Sequence, residues 1–112
     1  NNLPIIDEAL LEKRLMGDKE LVKELLSKFA ENTRPVLEKL IKAVRTKDYE
    51  EIKSILHNLK GASGNISALS FQSFVASFEA KLIAKESMDL EEECDIITKK
   101  YAFLEHHIKK LI

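Results

Sequence analysis

Apolar side chains recur every three or four residues along almost the whole chain, and only three glycines and two prolines interrupt its 112 residues. That spacing lines one face of an α-helix, whose period is 3.6 residues. A β fold would need many tight turns, and the chain lacks the residues that make them. The expected fold class is therefore all-α. A first short helix starts near Asp7, suited to capping a helix N-terminus, carries Leu10, Leu11 and Leu15, and ends at Gly17. Asp18 can cap a long second helix with an apolar stripe of Leu21, Leu25, Phe29, Val36, Leu40 and Val44, widened by Leu26, Leu37 and Ile41. Pro35 lies inside that pattern and, lacking an N–H, is expected to kink it. Asp48 and Glu51 resemble a capping box and open a third helix with core positions Ile52, Leu56 and Leu59. A fourth helix carries Phe71, Phe74, Val75, Phe78 and Leu82. The last begins near Asp89 and runs through Ile97, Tyr101, Leu104, Ile108 and Leu111.

Short connections between long helices favour antiparallel neighbours. The expected architecture is an up-down antiparallel four-helix bundle with a short additional N-terminal helix, spanning residues 1–112 as a single domain. Apolar residues make up 45% of the chain, enough for a core without disulfide staples. A net charge of −1 supplies none of the strong basic field on which a nucleic-acid binder relies. No stretch approaches the ~20 apolar residues of a membrane helix, and no direct membrane contact is expected. Cys94, the one cysteine, can form neither an internal disulfide nor a thiolate cluster and reads as a small apolar residue on a helix. Glu91, Glu92 and Glu93 read as favourable charge at a helix N-terminus. Asn1-Asn2-Leu3-Pro4 has no basic region before an apolar run, so it does not resemble a signal peptide. The cytoplasm is the expected compartment. The absence of an initiator Met points to a fragment of a longer protein.

The third helix carries the chemistry. At ~100° per residue, Ile52, Leu56, Leu59 and Ser63 share one side and His57 points roughly 150° away from it, toward solvent. Lys53, Lys60, Gly61 and Gly64 share the histidine's face. Gly61 and Gly64 each cost about 1 kcal/mol relative to Ala inside a helix, and both remove bulk beside the ring. An unperturbed imidazole titrates near 6.5, so much of it is neutral and nucleophilic at neutral pH. A neutral ring nitrogen, an ammonium one turn along and open space suit phosphoryl acceptance, which depends mainly on positioning and charge stabilisation. The same spacing also fits a plain surface histidine followed by a glycine C-cap at Gly61.

His57-Asn58-Leu59-Lys60-Gly61 resembles the His-x-Leu-Lys-Gly signature of histidine phosphotransfer domains. The likeness continues through the small residues to Asn65-Ile66 and Ala68. It includes the opening Leu15-Met16-Gly17-Asp18 followed by a long helix with Phe29. It implies that His57 is phosphorylated on its outer ring nitrogen, that Lys60 lies beside the phosphoryl oxygens, and that Gly61 and Gly64 leave room for a receiver domain. Glu79 matches a position where the family often has Gln or Glu bonding the histidine. Gln72, two turns earlier on the same helix face, and Lys53 are further candidates for the docking surface. One departure is Ser67, where the family usually has Gly. It leaves the signature intact and suggests a helix cap instead.

The function implied is that of a phosphorelay intermediate, a carrier rather than a classical enzyme. It would take a phosphoryl group from the aspartate of one response-regulator receiver and pass it to another. The domain is expected to be a monomer and to bind no cofactor, with Mg2+ on the receiver partner. A link to a hybrid sensor histidine kinase would account for the missing Met. No Gly-rich phosphate loop is present, so no ATP-dependent kinase activity is expected. His106 and His107 are adjacent, lack the His-Glu-x-x-His zinc pattern and lie near a helix C-terminus, where positive charge is favoured. The competing reading is a non-catalytic helical interaction module. The intact set of His57, Lys60 and Gly61 is the feature that separates the two.

Overall fold

The computed structural model describes residues 2–112. It contains five helices: α1 (Glu8–Arg14), α2 (Lys19–Arg45), α3 (Tyr49–Asn65), α4 (Leu69–Ile83) and α5 (Leu90–Leu111). The four long ones form a closed ring of neighbours, α2 against α3, α3 against α4, α4 against α5 and α5 back against α2. This is the expected bundle, and the short α1 lies against α2.

Four of the helix starts and four of the helix ends have a local cause. Asp7, Asp18, Asp48 and Asp89 cap α1, α2, α3 and α5, each accepting from the backbone N–H three residues on. At the other ends, Met16, Lys47, Ser67 and Lys85 have φ between 54° and 57°. The N–H of the residue after each reaches back to the helix: Gly17 to Glu12 O, Asp48 to Ala43 O, Ala68 to Ser63 O and Glu86 to Lys81 O, at 2.8–3.0 Å. These are Schellman turns, which usually place glycine at the left-handed position. Here none of the four has it. Gly17 follows that position instead of occupying it, so α1 ends three residues before the glycine.

Ser67 therefore does not cap α4. Its left-handed backbone closes α3, and Ala68 occupies the α4 cap position without a side-chain bond. Ser67 is fully buried. Its carbonyl accepts from Asp7 N at 2.9 Å, and its hydroxyl accepts from Arg14 at 3.3 Å. The N-terminal segment is thus tied to the α3–α4 turn, and Ser70 N donating to Pro4 O at 3.0 Å adds a second tie.

The core lies among the four long helices. On α2 the buried residues are Leu26, Phe29, Thr33, Leu37, Leu40, Ala43 and Val44. The stripe is rotated from the expected one: Leu21 is 41% exposed, and Leu25, Val36 and Ile41 are half-buried. Thr33 fills the turn between Phe29 and Leu37, and a polar residue there hides the true stripe from an apolar count. α2 continues through Pro35 as one helical element. Tyr101 of α5 sits between Phe29 and Phe71, with ring centroids 6.3 and 6.0 Å away. Its hydroxyl donates to Ala30 O at 3.1 Å. Burial, and next the charge of Glu105, push the phenol up to about 12. Arg34 and Glu105 form an ion pair beside it, so α5 is joined to α2 by both polar and aromatic contacts. The acidic start of α5 is partly structural: Glu93 is buried and accepts from Lys81 of α4 at 3.0 Å. Cys94 is a buried free thiol, pushed up by desolvation. No helix among the described residues is long and apolar enough to cross a membrane.

A side chain in the left-handed region costs about 1–2 kcal/mol, and glycine largely escapes that cost. Lys47 is exposed at φ 54°. Lys47→Gly should stabilise the fold by about 1 kcal/mol, read as a higher Tm by circular dichroism. An unchanged or lower Tm would mean that this corner holds no strain.

Candidate functional site

The site is built on the packing of α3 against α4. Ile52, Ile55, Leu56, Leu59 and Ser63 turn inward from α3. His57, between two core residues and the next turn, is thereby forced outward, and its side chain is 70% exposed. Lys60, one turn on, shares that face and is half-exposed. On α4, Phe71, Val75 and Phe78 go to the core, and Glu79 follows Val75 by one turn onto the seam with α3, where it is 5% exposed.

The buried carboxylate joins the two α3 side chains. Glu79 Oε2 is 3.2 Å from His57 Nδ1, and Glu79 Oε1 accepts from Lys60 Nζ at 2.6 Å. The Lys60 hydrogen bond, aided by the lysine charge and by His57, holds the Glu79 carboxyl below its usual range against the opposing effect of burial. Gln72, two turns earlier on α4, donates from Nε2 to the Lys60 carbonyl at 3.3 Å. α4 therefore grips Lys60 at both its backbone and its ammonium.

His57, Lys60, Glu79 and Gln72 are thus brought together. Lys53 is not part of this cluster. It lies one turn before His57 and pairs with Glu50 at 3.7 Å. The two glycines differ. A Cβ on Gly61 would meet nothing within 4 Å, so the surface there is open. A Cβ on Gly64 would lie 2.5 Å from Gln72 Nε2, so the room expected beside it is already filled by the amide. Gly61 lies inside α3, which runs four residues beyond it, so it is not a C-cap.

Arg14 is a neighbour that the sequence reading passed over. Its guanidinium donates to the Gly64 carbonyl at 2.9 Å as well as to Ser67. With Leu11, Leu15, Leu25 and Gly61 it lines a shallow concavity on this side of the molecule. No helical periodicity links residues 50 positions apart, and only tertiary packing joins them. His106 is exposed and His107 half-buried on α5, with no part in the cluster.

With this geometry in hand, comparison with known proteins gives a consistent result. The chain belongs to the histidine phosphotransfer (Hpt) domain family, whose model, the Hpt domain, matches residues 24–111. Among solved structures its fold is similar to that of histidine-containing phosphotransfer protein B (HptB) from Pseudomonas aeruginosa PAO1, with a TM-score of 0.84. The two share 19% sequence identity over 96% of this chain and 93% of that one. No curated protein matches the chain. The family match begins after α1, so Arg14, Leu11 and Leu15 lie outside it.

Alanine gains about 1 kcal/mol over glycine inside a helix when its methyl has space. Gly61→Ala should therefore raise Tm. Gly64→Ala should gain less or lose stability, because its methyl must displace the Gln72 amide from the Lys60 carbonyl. Equal stabilisation of the two variants would show that Gln72 yields at no cost.

Proposed function

We propose that this domain is a phosphorelay intermediate: His57 accepts a phosphoryl group from the aspartate of one receiver domain and passes it to the aspartate of another. The observation that carries this reading is the exposed His57 ring held at Nδ1 by a buried carboxylate. An ionised carboxylate can only accept, so Glu79 selects the tautomer in which Nδ1 carries the proton. The lone pair is then on Nε2, at the far side of an exposed ring, as a nucleophile requires. Lys60 supplies positive charge on the same face for the oxygens of an incoming phosphoryl group.

The surroundings support docking of a protein donor. Gly61 offers a flat approach to the ring. The concavity lined by Leu11, Leu15, Leu25 and Arg14 adjoins it, with apolar surface for a partner and a cation at its edge. The partner proposed is a response-regulator receiver domain, with the Mg2+ needed for its own acyl phosphate held on the receiver. Lys53 would lie at the margin of the interface. The domain itself is proposed to act as a monomer in the cytoplasm.

His57→Gln is expected to abolish phosphoryl acceptance from a phosphorylated receiver while leaving the helical spectrum unchanged, since a glutamine amide can still donate to Glu79 and Lys60 remains paired with that carboxylate. Acid-labile, base-stable phosphate on that variant would remove His57 from the mechanism. Lys60→Ala should still be phosphorylated, but more slowly, with a deficit that shrinks as salt screens the charge. Wild-type rates from Lys60→Ala at low salt would exclude the lysine.

A further inference from the structure

Phe103 lies on α5 between the buried Tyr101 and Leu104, yet it is itself 62% exposed. A single exposed apolar side chain is ordinary on a protein surface, but this one does not stand alone. It borders a groove of about 310 Å3 that it shares with Ile5 and the buried Phe71. Ile5 is held in place by the backbone on either side of it, with Ser70 N donating to Pro4 O at 3.0 Å and Asp7 N to Ser67 O at 2.9 Å. The volume is at the low end for ligand pockets and has room for one large side chain.

Lys99 and Lys100 line the same groove. The Lys100 ammonium rests over the Phe74 ring, 5.6 Å from its centroid, and among the described residues neither lysine is paired with a carboxylate. The rest of α5 has the same sign. From Ile96 onward it carries Lys99, Lys100, Lys109 and Lys110, and its one carboxylate there, Glu105, is taken by Arg34. Lys109 and Lys110 answer the helix dipole, whose influence is confined to the last turn. Lys99 and Lys100 lie about three turns before the helix end, beyond that reach.

We infer that this groove is a second docking surface, for an acidic segment of a partner protein: one apolar side chain of the partner seats between Phe103 and Ile5, and carboxylates flanking it meet Lys99 and Lys100. The chemistry selects the class of partner. An anchor that fills a groove, with opposite charges around it, is how protein surfaces recognise one another. A bilayer has no side chain to insert, and one phenyl ring gives it little apolar surface to hold. Nucleic acid calls for a strong basic field, and the chain's net charge is −1. The groove shares no residue with the His57 cluster or with the concavity beside Arg14, and α5 is not a neighbour of α3 in the bundle. A partner can therefore remain on α5 while a receiver reaches His57. The surface serves attachment, and it stands independently of the phosphotransfer reading.

The probe is a synthetic amphipathic peptide with leucines on one face and glutamates on the other, titrated into the isotope-labelled domain and followed by NMR. The amide signals of Ser70, Lys99, Lys100 and Phe103 should move and those of Gly61 and Gly64 should not. Phe103→Ala, with an unchanged Tm by circular dichroism, should weaken the peptide by on the order of tenfold. Lys99→Gln should also weaken it, and added salt should do the same to wild type. No shift at the groove, or equal binding by Phe103→Ala, would overturn the proposal. A loss from Lys109→Gln as large as that from Lys99→Gln would also overturn it, by reducing the effect to unspecific charge attraction. So would Phe103-dependent binding to phosphatidylglycerol vesicles or duplex DNA in place of the peptide. Phe103→Ala should accept phosphate from a phosphorylated receiver at the wild-type rate, with or without peptide, and slowed acceptance would overturn the separation of the two surfaces. Failure of wild-type His57 to accept phosphate would instead refute the phosphotransfer reading, with the peptide titration still testing the groove.

Discussion

The register between α3 and α4 is the constraint on which the site depends. A helix that buries Leu56 and Leu59 has no choice but to turn His57 outward. That alone would give a free surface imidazole of unspecified tautomer. Packing α4 along the same helix sets Glu79 into the seam, close enough to bond both the ring and the lysine one turn on. A displacement of one residue along α4 would turn the carboxylate about 100° away and leave Lys60 and His57 without their common anchor. Core packing thus determines site chemistry, although none of the reacting groups belongs to the core.

Burial gives Glu79 an importance that its charge alone would not. A carboxylate taken out of water must be compensated, and the compensation here comes from groups on a different helix. The same interaction therefore locks two helices and orients the imidazole. Gln72 performs a related service with a neutral amide, occupying the space beside Gly64 and holding the Lys60 carbonyl. α4 carries none of the groups proposed to react, yet its Glu79 and Gln72 hold both the imidazole and the lysine beside it.

Most of the architecture is legible in the sequence because it is written in local terms. Asp7, Asp18, Asp48 and Asp89 announce the helix starts, and the 3.6-residue rhythm announces the inward faces of α3, α4 and α5. The rhythm misleads on α2, where the buried Thr33 breaks the apolar count and draws the eye to Leu21, which is exposed. The His57 face and its lysine are readable from α3 alone. Glu79 is placed by family likeness, since nothing in its local sequence marks a buried carboxylate. Arg14 and the true role of Ser67 depend on contacts between distant segments, and the filled space beside Gly64 depends on a side-chain position that spacing does not encode.

The glycine-free helix ends have a consequence for how the chain comes together. Met16, Lys47, Ser67 and Lys85 adopt a backbone conformation that an isolated peptide of the same sequence would seldom visit. Each corner is therefore disfavoured on its own and becomes stable only once the helices it joins have docked. A pair of neighbouring helices cut from this chain would lack much of what holds its corner closed. Cooperativity is thus imposed at the turns as well as in the core: half-assembled forms carry the strain without the packing that offsets it, and the population is driven toward the complete bundle or the open chain.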